Sequence, residues 1–433
     1  MNDASKGLKK TVRGNDALFK VARRIYFIKN NLVYCLKNPS KIGKKIELSE
    51  HVTVSDLIRE EGRHTFFGYY DKCPWDPSGR FILYLSVPRI KEHPTIENPG
   101  KIGYIDLKDM KTRILTETKA WNWQQGCMLQ WIEKSRDPVF IYNDFRKGRY
   151  VSVLKKLQED KEKVIPHPYY TVNDDGTQAL TLNFQRLQHL RPGYGYDPGK
   201  NVLGKGYAPE YDGIFNIDLK DGSSQLILSI KEIAKGVPKT ATYHWVNHLK
   251  YNPKGDRVVF LHRYLSDGKR YSRMFTMKPD GTDMYCLLDK GFVSHFTWKN
   301  NREILATAGT PEEGASDHYY VFKDKSNTRY KIAEGVLCRD GHPSFSPDGR
   351  WLLTDTYPDQ GGWRELILYD LKDEDKYVVG RFYNPIIYRH DPLECDLHPR
   401  WSRDGKKICV DSVHEEYRKM LLIDVTMFLS KHS

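Results

Sequence analysis

The chain of 433 residues contains no run of the ~18 apolar residues that a membrane-spanning helix requires. Its seven cysteines, at 35, 73, 127, 286, 338, 395 and 409, are odd in number and follow no framework spacing. That argues against a disulfide scaffold and favours a reducing compartment. The N-terminus lacks the uninterrupted apolar segment and small-residue cleavage site of a signal peptide. These absences predict a cytoplasmic protein. The net charge is +13, of which residues 1–50 carry +8 (twelve Lys and Arg against four Asp and Glu). No nucleic-acid-binding motif accompanies that excess, so nucleic acid is not an expected partner.

What the chain has is a repeat. Ser346-Pro347-Asp348-Gly349 is a tight turn, because Pro presets φ and Gly accepts positive φ. His342 to Phe345 precedes it as a strand, Trp351 to Thr354 follows it as a second, and Glu365 to Leu371 supplies a third. The second-strand signature recurs at 76–87, 131–145, 173–184, 252–264, 298–309, 346–357 and 402–413, each copy followed by a third-strand copy. Seven of each in strict alternation predict an all-β fold, a seven-bladed β-propeller, over residues 47–433. A generic β-sandwich would not repeat the turn so regularly. The last blade shows only three strands before the chain ends. The expected closing strand is lent by the N-terminal residues 47–57.

Residues 1–46 read as a separate basic extension. Over 17–36, Leu18, Val21, Ala22, Ile25, Ile28, Leu32 and Leu36 fall at helical spacing, with Lys20, Arg23, Arg24 and Lys29 off that stripe. This is a basic amphipathic helix, suited either to an anionic membrane surface or to docking on the propeller or a partner.

Polar residues at the blade openings face a shared funnel. Blade one offers His64, Tyr69, Tyr70 and Lys72 beside Asp71. Blade two offers Trp121, Gln124, Gln125 and Asn143, a set of indoles and amides that suits sugar rings and hydroxyls. An internally satisfied amide network is the alternative there. Blade three carries Arg186, His189, Arg191, Tyr194 and Tyr196 within eleven residues, with Arg186 closing a strand and Pro192 to Tyr196 forming a loop. Arginine suits bidentate recognition of carboxylates. Blade four holds His244, His248 and His262, and Cys338, His342 and His398 stand at the rims of blades six and seven. Histidines and a cysteine on several rims could converge on one divalent cation, Mn, Zn or Ca.

GYYDK (68–72), WNWQQG (121–126), RLQHLRPGYGY (186–196), NHLKYNPKGDRVVFLHR (247–263) and GHPSFSPDGRWLLTD (341–355) resemble the propeller polysaccharide lyases, namely the oligogalacturonate and ulvan lyases. The resemblance covers about residues 60–425. It implies β-elimination on a uronic-acid glycan and an acidic oligosaccharide or polysaccharide as partner. A cation neutralises the uronate carboxylate, a base removes the C5 proton and an acid protonates the leaving oxygen. By that resemblance Arg186 neutralises the carboxylate and Tyr170 is the acid or base. His262 and His342 match the family's metal ligands, with Cys338 and His398 as additions. Where ulvan lyases place a histidine pair on blade two, this chain has Trp123 or Gln124 and Asn143, so the base falls to His189, His244 or His248. The other reading is a non-catalytic propeller that binds a glycan or protein partner in surface-polysaccharide assembly at the membrane.

Overall fold

The computed structural model describes residues 25–26, 28–30, 33–34, 43–58, 60–197, 207–310 and 318–432. Seven antiparallel sheets are arranged as the blades of a propeller. Five are built wholly from strands consecutive in sequence, numbered outward from the axis. Blade one, for example, is Arg63–Phe66, Phe81–Pro88, Gly100–Asp106 and Lys111–Thr118. In blade one the second and third strands are almost wholly buried, whereas the fourth is mostly exposed.

The repeated turn explains the repeated residues. Its first residue is Asp, Asn or Ser because that side chain caps the start of the second strand. Asp76 Oδ1 accepts from the Phe81 N–H at 2.7 Å, Asn252 Oδ1 from Arg257 at 3.1 Å, Ser346 Oγ from Trp351 at 2.9 Å and Ser402 Oγ from Lys407 at 2.9 Å. The turn glycines Gly79, Gly176, Gly255, Gly349 and Gly405 have φ of 76°, 68°, 80°, 75° and 68°, a region open to glycine at no steric cost.

The ring closes through the N-terminal segment. Thr53–Asp56 pairs antiparallel with Lys419–Asp424 and forms the outer strand of blade seven. Asp56 and Lys419 add an ion pair at 2.9 Å. Just before it, Ile46–Leu48 adds a fifth strand to blade six, beside Lys376–Tyr383.

One local reading is corrected. Phe184–Leu190 is an α-helix, so Arg186 lies on a helix rather than at a strand end. Asn183 supplies its N-cap, accepting from the Gln185 and Arg186 N–H groups, and Phe184 and Leu187 bury its inner face. In blade two the inner strand is Gln130–Trp131, and 120–126 is a loop held by an Asn122–Gly126 bridge. The amphipathic reading of 17–36 lies largely outside the described residues. Those described within it, Ile25, Tyr26, Ile28, Lys29, Asn30, Val33 and Tyr34, are helical.

Candidate functional site

In blades four to seven the residue three positions before the aromatic that ends the inner strand stands in one cluster. That residue is histidine in all four: His248, His295, His342 and His398. Ring centroids run 6.4 Å from His248 to His295, 4.2 Å to His342 and 4.5 Å on to His398, an arc of four imidazoles. Tyr69 and Tyr70 of blade one complete the cluster. Tyr69 stacks on His248 at 5.1 Å and meets His398 edge-on at 4.8 Å, and Tyr70 lies 5.1 Å from His342.

His342, Asp396 and His398 offer ligand atoms that all lie within 4.8 Å of one another, and all three residues are buried. Second partners fix the rings. His342 Nδ1 meets Asp355 Oδ1 at 2.8 Å and His398 Nδ1 donates to the Gly68 carbonyl at 2.9 Å, which turns each Nε2 inward. His398 Nε2 is buried and has no hydrogen-bond partner. His295 Nδ1 is held in the same manner by Asp340, at 3.0 Å. Arg364 pairs with Asp396 at 2.7 Å. The set fits a divalent ion: two imidazoles and a carboxylate, each with an outer partner.

Burial and neighbouring charges move the histidines in different directions. Burial, with His342 and Arg400 nearby, holds His398 well below the ordinary histidine range. Burial, with Arg263 next, does the same for His248. For His342, burial lowers the value, but Asp355, backed by Asp396 and Asp340, raises it above normal. His248 and His398 have φ of 56° and 44°, an uncommon left-handed backbone for histidine and a form of strain concentrated at functional sites.

The two tyrosines differ. Tyr70 Oη donates to the Phe296 carbonyl at 2.8 Å and accepts from the Phe296 N–H at 2.9 Å, tying blade one to blade five. Tyr69 Oη is buried without a partner. Burial, then Tyr194 and Tyr70, raises its hydroxyl well above the usual value, so it stays protonated. Arg400, paired with Asp411 at 2.7 Å, holds the Tyr69 carbonyl at 3.1 Å and sets the chain there. Tyr170 Oη accepts from Gln125 Nε2 at 2.7 Å and from the His248 N–H at 3.0 Å, and stands 3.5 Å from His248 Nδ1.

Arg263, Arg191 and Arg270 form a group that no carboxylate of the described residues pairs. Arg263 is 6% exposed, and its Nε donates to Asn247 Oδ1 at 3.3 Å. Burial, then Arg270 and Arg191, lowers it to about 9. Arg191 lies over the Tyr194 ring at 4.8 Å, and Tyr194 meets His248 edge-on at 5.9 Å.

The structure separates the other sequence-predicted residues from this centre. Arg186 is buried and committed to Asp212, with Nε 2.7 Å from Oδ2. His189 is exposed on the last turn of its helix. His244 and His262 pair with each other, Nδ1 to Nε2 at 3.0 Å, outside the ligand group. They point away because strand alternation puts Phe260, His262 and Tyr264 on the face toward blade three. Cys338 is exposed on a loop and also lies outside the group. The indoles fill the core rather than a sugar platform: Trp121 donates to the Asn98 carbonyl at 2.6 Å, and the two indoles meet edge-on at 5.0 Å. Asn143 bonds Tyr169 and Tyr196, and Gln124 bonds the Glu394 carbonyl, so those amides serve an internal network. Lys72 pairs with Asp71 at 3.0 Å, and His64 is buried against Trp123. Sequence reasoning missed His295, Asp355 and Arg263. Aligning NHLKYN, SHFTWK, GHPSFS and LHPRWS would have found His295, because the same histidine recurs in all four.

No family model matches the sequence, and no curated protein matches it. Solved structures do. An oligogalacturonate lyase from Vibrio parahaemolyticus superposes with a TM-score of 0.62 at 13% identity, over 88% of this chain and 96% of that one. An oligogalacturonate lyase in complex with manganese gives 0.61 at 15% identity, over the same shares. The chain has the propeller fold of the oligogalacturonate lyases. At these identities the likeness shows the fold, and the site must be argued from its own residues.

Proposed function

We propose that the protein is a metal-assisted lyase that cleaves an acidic, uronate-containing oligosaccharide or polysaccharide by β-elimination. The observation that carries this reading is the inward-set group His342, Asp396 and His398, on one histidine arc with His248, whose neighbour Arg263 is paired by no carboxylate of the described residues. The manganese complex of a lyase with the same fold supports it. The donor set of two imidazoles and one carboxylate suits manganese or zinc better than calcium, which prefers an all-oxygen shell.

A divalent cation held by His342, Asp396 and His398 would neutralise the uronate carboxylate and so acidify the C5 proton. Arg263 and Arg191 bind further negative charge on the glycan. His248, kept neutral by burial and oriented by Tyr170, accepts the C5 proton. The C5–H electron pair becomes the C4–C5 double bond as the C4–O bond breaks. Tyr69, whose hydroxyl proton has no other use, protonates the departing oxygen. The basic arm over 17–36 is read as an element for an anionic membrane surface, on the strength of its charge.

The test is a panel of uronate-containing glycans, followed by the ultraviolet absorbance of the unsaturated product. The expected result is product that forms with Mn²⁺ or Zn²⁺ and stops on chelation. Absence of product from every member with either ion would overturn the reading.

A further inference from the structure

His244 and His262, which stand apart from the metal group, belong to a row of rings on blade four. Their planes are near-parallel, at 11°, with centroids 5.2 Å apart. Tyr264 continues the row 5.6 Å from His244 at 28°, and Tyr271 follows 5.3 Å from Tyr264 at 14°. Strand alternation puts His262 and Tyr264 on one face, and the pairing of Tyr264 with Tyr271 carries that face to the next strand. The first three rings are buried, and Tyr271 at the end is 37% exposed. Buried rings therefore fix the plane of an exposed one.

The row ends at a cavity of about 810 Å³ lined by Tyr264 and Tyr271, a size usual for small-ligand sites. The cavity lies at the same end of the propeller as the histidine arc. The second strand of blade four, Val258–Ser266, passes Arg263, which bonds Asn247 beside His248, and finishes at the cavity with Ser266. On the inner strand His244 and His248 are four residues apart, about 13 Å along the chain. The polar lining selects the ligand. Its charged members are Asp267, Asp289 and Lys290, and Asp289 already pairs with Arg273 at 2.6 Å, so the cavity holds no surplus cation for a carboxylate. Thr310 lines it too, 2% exposed, with Oγ1 buried and without a hydrogen-bond partner. A flat aromatic face meets the C–H groups of a sugar ring through its negative quadrupole, and carboxylate and hydroxyl oxygens accept from sugar hydroxyls.

We infer that this cavity is a second sugar subsite, which takes an uncharged pyranose ring stacked on Tyr271 while an acidic residue of the same glycan occupies the histidine arc. The substrate is then a chain that mixes acidic with neutral sugars. That both rings belong to one cleaved chain rests on the lyase reading, whereas uptake of a neutral ring by the cavity does not.

The full-length protein is titrated by calorimetry with cellotetraose, galactotetraose, mannotetraose and xylotetraose, and with tetragalacturonate for comparison. Saturable binding of at least one neutral member is expected. Tyr271→Ala should weaken it about tenfold, and Tyr271→Phe should keep it, because the ring carries the contact. Thr310→Val removes a hydroxyl that bonds nothing within the protein, so it should weaken binding about two- to tenfold with the melting temperature unchanged. Should Tyr271→Ala not fold, Thr310→Val decides alone. No binding of any neutral member, or binding that these substitutions leave unchanged, overturns the proposal. Tetragalacturonate binding that falls equally in Tyr271→Ala would place an acidic ring in the cavity and overturns it as well. None of these readouts needs turnover, so a failed lyase assay leaves the subsite standing, and a failure here leaves the lyase reading standing.

Discussion

Tyr69 and Tyr70 are adjacent, equally buried, and differ in what their hydroxyls touch. Tyr70→Phe removes two bonds to Phe296 and should cost about 1–3 kcal/mol of stability, read by denaturant unfolding. Tyr69→Phe removes a hydroxyl that bonds nothing, so the melting temperature should barely move, while turnover of uronate glycan should fall about 10²–10⁴-fold. A second contrast concerns Arg186. Its removal leaves Asp212 buried with Asn183 alone, so Arg186→Ala should destabilise by about 3–5 kcal/mol and keep its activity per folded molecule. His64 sets a pH response. Burial, then Arg418 and Arg89, lowers it from 6.5 to about 3, and its Nδ1 accepts the Arg418 N–H at 2.9 Å. The folded state therefore binds this proton more weakly than the unfolded chain. Its contribution is complete above pH 6.5 and is lost as pH falls toward 3, at about 1.4 kcal/mol per pH unit. Denaturant titrations from pH 7 to 4 should show a shallower decline for His64→Gln.

At the level of elements, closure depends on two short strands far from the blades they complete. Deleting residues 1–58 removes both Ile46–Leu48 and Thr53–Asp56 and exposes the edges of blades six and seven. Aggregation or a sharp fall in melting temperature is expected, because an open edge offers unpaired backbone groups to other chains. Deleting residues 1–40 keeps both strands and should leave a soluble, folded propeller. The strands themselves were legible in the sequence, since alternation and the capped Asp/Asn/Ser turns are local signals. The helix Phe184–Leu190 was not. Its seven residues are too few to establish a period, and its existence depends on the Asn183 cap and on burial against neighbouring elements.

Across the whole molecule, the site exists only because the ring closes. His342, Asp396 and His398 come from two blades, and Asp355 at the end of a strand and Gly68 in a loop of blade one hold the two imidazoles. Mn²⁺ or Zn²⁺ at a hundredfold excess over its Kd should stabilise the protein by about 2.7 kcal/mol, seen as a higher melting temperature. His398→Ala should abolish that shift. The sequence by itself determined the seven blades, their turns and the presence of a histidine at the rim of several of them, because each depends on neighbours within about ten residues. It also placed His248, His342, His398 and Tyr69 at the funnel. Only the tertiary structure decided which rims converge. It sent His262 toward blade three by strand alternation, left Cys338 on an exposed loop, and gave the Arg186 charge to Asp212. It also left Arg263 buried with no carboxylate of the described residues paired to it. A strand carries its side chains to alternate faces, and which face meets the axis depends on blades hundreds of residues away.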